Sequence, residues 1–116
     1  MSPPSKLEPP AVDAWLARHA GWERTPEGIS RRFAFPDFAT ALAFVVRVGC
    51  FAEKVDHHPD IELGWGRVRV AWSTHDAGGV TQLDLDAAAA TSEFGELGQA
   101  GSQGPGVTRQ VPPTSG

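Results

Sequence analysis

Three of the four histidines fall in two short segments: His57 and His58 adjoin Pro59, and His75 lies in a Ser-Thr-His-Asp run. Imidazole exchanges protons near neutral pH, so a histidine cluster suits general acid–base chemistry. Glu53 stands four residues before His57, where a helix would let its carboxylate hold the imidazole tautomer. Asp56, Ser73, Thr74 and Asp76 add hydrogen-bonding groups beside the same histidines. Blander roles compete with each of these. His57 and His58 suit a helix C-terminus, His75 a surface strand end, and Glu53 a solvated helix face. A three-histidine zinc site is disfavoured, because adjacent residues of an extended chain point to opposite sides. Thr81-x-x-Asp84 has the spacing of a capping box, which gives Asp84 a structural role first. Cys50 reads as inert packing and His19 as structural. Trp22, Trp65 and Trp72 read as core, with Trp22 also the one candidate for a stacking wall against a planar ligand.

The elements around these segments decide whether they meet. Helical spacing of Val12, Trp15, Leu16 and His19 predicts a helix over 11–20, ended by Gly21. A strand over 22–25, a Pro26-Glu27-Gly28 turn and an alternating strand over 29–35 form a hairpin. Asp37 is placed to N-cap the main helix. That helix has two apolar stripes, Phe38-Leu42-Val45-Gly49-Ala52 and Ala41-Phe44-Val48-Phe51-Val55. One stripe can cover a sheet, and the second asks for another surface, such as a second subunit. Pro59 ends the helix near His57. Residues 59–65 and 67–75 alternate as two strands about Gly64 and Gly66. Thr81 opens a last helix carrying Leu83, Ala87, Ala90 and Phe94. Pairing the last two strands as a hairpin brings His57, His58 and His75 to one end of the sheet. The order helix-β-β-α-β-β-α implies an α+β, two-layer domain, a four-stranded antiparallel sheet covered on one face by helices.

Length and charge narrow the function. The chain of 116 residues is one domain at most. Residues 1–10 and 95–116 are rich in Pro, Gly and Ser, and read as disordered tails around a domain over 11–94. The net charge is -4, and no block of Lys or Arg forms a stripe, which argues against nucleic acid as a partner. One cysteine excludes an internal disulfide. No apolar run is long enough for a membrane span and no signal peptide is visible, so a cytoplasmic protein is expected.

The segments together resemble the pterin-4a-carbinolamine dehydratase family. The matching pieces run in order: Gly21-Trp22, F-x-F-x-D-F from Phe33 to Phe38, Ala52-Glu53-Lys54, Asp56-His57-His58-Pro59-Asp60, Ser73-Thr74-His75-Asp76, and G-G-V-T-x-x-D ending at Asp84. From Glu53 to Asp84 the spacing is E-x₃-H-H-P-x₅-W-x₉-H-x₈-D. The resemblance implies dehydration of 4a-hydroxytetrahydropterin to quinonoid dihydropterin, in recycling of tetrahydrobiopterin. It implies no metal or organic cofactor, a homodimer or homotetramer, and the pterin as small-molecule substrate. By resemblance His57 and His75 are the acid–base pair, and His58 orients and binds. Glu53 tunes His57, and Asp56, Ser73, Thr74 and Asp76 line the pterin pocket. Trp65 stands where Tyr or Phe is frequent, and Gly49 and Cys50 interrupt the long helix. Two rival readings are a dehydratase-like assembly chaperone and a plain homo-oligomerisation module. The presence of all three histidines favours the enzyme.

Overall fold

Asp37 opens the second helix by accepting the backbone N–H of Thr40 at 2.7 Å, so a donor left free in the first turn is satisfied. The helix it starts is one of three in a computed structural model that describes residues 4–103. In order the elements are α1 (Pro9–Arg18), β1 (Glu23–Arg24), β2 (Ile29–Ala34), α2 (Phe38–Val55), β3 (Asp60–Gly64), β4 (Arg67–Trp72), a 3₁₀ turn (His75–Ala77) and α3 (Gln82–Gln103). The strands form one antiparallel sheet in the order β1-β2-β4-β3. This is the α+β architecture that the alternating patterns imply.

Alternation fixes which face is dry. Ile29 and Phe33 of β2, and Val68, Val70 and Trp72 of β4, are buried beneath Ala41, Phe44, Val48 and Ala52 of α2. Burying side chains of this size stabilises by about 1.5–3 kcal/mol each. The two expected stripes of α2 are not cleanly divided between inside and outside: Phe38 and Leu42 of the first and Val55 of the second stay exposed, at 44%, 43% and 45%, Ala52 of the first is buried, and Val46, in neither stripe, is 54% exposed. Cys50 is exposed as well rather than packed.

Several boundaries differ from the sequence reading. Helix α1 begins at Pro9, because proline's fixed φ and missing N–H suit a first turn. Ahead of it, Leu7 packs on the core and donates its N–H to the Val80 carbonyl at 2.8 Å, so this segment is not a free tail. Helix α3 continues past Phe94 to Gln103. Gly95 makes that possible: a Cβ there would lie 2.5 Å from the Phe33 ring. The rest of the expected C-terminal tail, 104–116, and residues 1–3 lie outside the described residues. Leu83 is exposed, since the buried side of α3 is Asp84, Leu85, Ala87, Ala88 and Thr91. Trp65, expected in the core, is 70% exposed. It sits with Gly66 (φ +68°) in the two-residue link between Gly64 and Arg67, beyond the last strand pair.

Candidate active site

The end of α2 separates the two adjacent histidines. Asp56 takes a left-handed conformation (φ 55°, ψ 44°), the one described non-glycine residue with positive φ. Asp tolerates that region better than most side chains. Its N–H and that of His57 both turn back to the Ala52 carbonyl. The chain then enters the sheet with His57 turned inward and His58 outward. The His57 side chain is 13% exposed, against 54% for His58.

His57 Nε2 lies 2.6 Å from Oδ1 of Asp84, a fully buried carboxylate on α3. A carboxylate only accepts, so this nitrogen carries the proton and the lone pair of neutral His57 sits on Nδ1. The other oxygen, Oδ2, accepts the Thr81 N–H at 2.9 Å and the Thr74 hydroxyl at 2.8 Å. Thr74 and Thr81 hydroxyls lie 2.7 Å apart, which completes a buried polar chain. The face of Trp72 lies near-parallel to His57, with ring centroids 5.4 Å apart. Trp72 is itself pinned by its indole N–H on Thr91 Oγ1 at 3.0 Å. The capping contact expected of Asp84 is therefore real, but the same carboxylate also holds His57. The sequence reading missed that second role. The hairpin register was the available signal, because it brings the Thr74 strand end toward His57.

His75 opens the 3₁₀ turn immediately after Thr74, and does not end β4, which stops at Trp72. Asp60 pairs with Ala71, and that register continued outward sets residues 57 and 58 opposite 74 and 73. The loop carrying His75 is closed by the bridge between Thr74 and Gly79, and the Leu7 N–H fastens the next residue, Val80. His75 and Asp76 are exposed and Ser73 is half-buried. The structure thus joins His57, Thr74 and Asp84 directly, and puts His58, Ser73, His75 and Asp76 beside them by chain position.

Two expected placements change. Glu53 Oε2 lies 2.6 Å from His58 Nε2, not His57, because the left-handed cap swings His57 under the helix end. Trp22 is buried 5% exposed in the core, edge-on to Trp15 and Phe33, with its N–H on Ser92 Oγ at 2.8 Å. It cannot form a stacking wall there. The Nε2 atoms of His57 and His58 face separate carboxylates. The arrangement can move protons: one imidazole is fixed by a buried carboxylate, and others stand exposed nearby.

A family model described as pterin 4 alpha carbinolamine dehydratase matches residues 5–94. A protein from Thermosynechococcus vestitus, provisionally named a pterin-4-alpha-carbinolamine dehydratase, is 41% identical over 89 residues, covering 77% of this chain and 94% of its own. The crystal structure of a transcriptional coactivator/pterin dehydratase from Brucella melitensis superposes with a TM-score of 0.75 at 34% identity, covering 78% of this chain and 99% of its own. A pterin dehydratase-like protein described as a RuBisCO assembly factor in the alpha-carboxysome shares the fold, with a TM-score of 0.55 at 24% identity, covering 66% and 92%.

Proposed function

The chain belongs to the pterin 4 alpha carbinolamine dehydratase family, and on that premise we propose that it dehydrates 4a-hydroxytetrahydropterin to quinonoid dihydropterin, returning tetrahydrobiopterin to use. The observation that carries this reading is the 2.6 Å contact between His57 and the buried Asp84. In the reaction a ring nitrogen loses its proton, and the freed electron pair forms a C=N bond to the carbon bearing the hydroxyl. The hydroxyl takes up a proton and leaves as water.

Two groups of opposite role serve this exchange. His57 accepts the nitrogen proton at Nδ1, and the Asp84 carboxylate stabilises the imidazolium that forms. His75, exposed at the loop surface and with no side-chain partner among the described residues, delivers the proton to the departing hydroxyl. Each transfer is worth about 10²–10⁴-fold. His58, held by Glu53, orients the pterin, and Asp56, Ser73, Thr74 and Asp76 surround it. Thr74 acts through Asp84, since its hydroxyl is committed to that carboxylate. No metal or organic cofactor takes part in this scheme.

The chain acts as a homodimer or homotetramer in the cytoplasm, with Phe38, Leu42 and Val46 as the apolar patch that a second copy covers. Among the described residues no helix is long and apolar enough to cross a membrane.

The test is to add the purified protein to freshly generated 4a-hydroxytetrahydropterin and follow the carbinolamine absorbance. Loss well above the spontaneous rate supports the proposal. A folded protein that leaves that rate unchanged would move the chain to the non-catalytic members.

A further inference from the structure

We propose that the uncovered face of the sheet holds a second ligand site, for a small phosphomonoester of mononucleotide size. Arginines scattered along the chain gather there. With Ile29, Phe33, Val68 and Val70 facing the helices, Ser30, Arg32, Arg67 and Arg69 face the other way. Two cavities open on this side, of about 330 and 90 Å³, and share Arg32 and Arg69 in their linings. The larger reaches Arg24 and Arg31 at the sheet edge, and the smaller reaches Arg67. Neither is lined by His57, His58, His75 or Asp84.

Two features mark a built anion site. Arg32 and Arg69 stand directly opposite in the β2–β4 register. Like charges placed so repel one another and weaken the sheet, and an anion between them relieves the repulsion. Arg69 has Glu62 at 3.5 Å on its other side, whereas Arg32 has no ion pair among the described residues. Second, Ser30 lines the larger cavity and is only 7% exposed, yet its hydroxyl has no hydrogen-bond partner among the described residues. A buried hydroxyl left unpaired is costly and commonly awaits a ligand or water. Arg31 alternates to the helix-covered side, where its Nη1 lies on Ser92 Oγ at 2.9 Å and its guanidinium 4.5 Å over the Phe33 ring, so its charge is spent there and is no part of the site.

The local carboxylates limit the size of the ligand. Glu23 lines the large cavity, Glu62 the small one, and Asp60 stands in the next row of the same face. These acids bracket the arginines and disfavour a long phosphate backbone crossing the face. The larger cavity lies at the small end of the range for ligand pockets, about 300–1,000 Å³, which suits one nucleotide.

Calorimetric titration of the full chain tests the site with three probes: adenosine 5′-monophosphate, adenosine, and a short single-stranded oligonucleotide. The monophosphate should bind once per chain, with a dissociation constant of about 1 mM or tighter. Adenosine should bind far more weakly. Arg32→Gln and Arg69→Gln should each weaken the monophosphate roughly tenfold, and Ser30→Ala by a smaller factor. Arg32→Gln should also raise the melting temperature of the free protein, because it removes the repulsion, and leave carbinolamine dehydration unchanged. No saturable binding of the monophosphate, or equal affinity in both arginine variants, overturns the site. So does adenosine binding as tightly as its phosphate. Oligonucleotide binding without monophosphate binding would reassign the face to nucleic acid and overturn the proposal as stated.

Discussion

Three donors converge on the buried carboxylate of Asp84. Asp84→Asn replaces one acceptor oxygen with a donor, so at least one of Thr81 N–H, Thr74 Oγ1 and His57 loses its partner. An unsatisfied buried group costs about 1–3 kcal/mol, which urea unfolding at neutral pH should register. The dehydration rate should fall by about tenfold or more, because His57 loses the charge that supports its imidazolium. Glu53→Gln makes the contrast. Its pair with His58 is largely exposed, so stability should change by less than about 1 kcal/mol, and the effect should appear in substrate affinity. The histidine segments were legible from composition and spacing. The His57 partner was not, because it comes from 27 residues away and already had a complete local explanation as a cap.

Among the elements, strands were the most readable, because alternation reports burial directly: β4 alternates exposed or half-buried with buried along its whole length. Helix ends were harder. Prolines that look like linker start α1, and glycine, which looks like tail, lets α3 run close under the sheet. Gly95→Ala should therefore destabilise by about 1–3 kcal/mol through overpacking against Phe33, a loss that thermal unfolding would show although alanine favours helix. At the other end of the core, Asp37→Ala should cost about 1 kcal/mol at neutral pH. The Thr40 hydroxyl and then its backbone N–H hold the Asp37 carboxyl below its ordinary value of 3.8. A group lowered in the folded state stabilises above its unfolded pKa and stops doing so as pH falls through the folded one. The gap between the variant and the parent should accordingly close in acid below about pH 3.8, which unfolding curves at several pH values would reveal.

The whole molecule leaves two surfaces unaccounted for by its own core, the outer stripe of α2 and the arginine face of the sheet. The surplus of apolar residues on that helix was legible, and Phe38 and Leu42 stand in an expected stripe, but Val46 was in neither. The arginine face was not legible, because its members come from separate strands and only the sheet register aligns them. Leu42→Glu should leave the fold intact, since Leu42 is 43% exposed, but lower the sedimentation coefficient to that of a single chain. An unchanged oligomer would place the subunit contact elsewhere. The most direct measurement on the dehydratase reading is single-turnover loss of 4a-hydroxytetrahydropterin by the parent, His57→Ala and His75→Ala proteins, each verified as folded. Each histidine variant should be slower by about 10²–10⁴-fold; rates equal to the parent in both would contradict proton transfer by this pair.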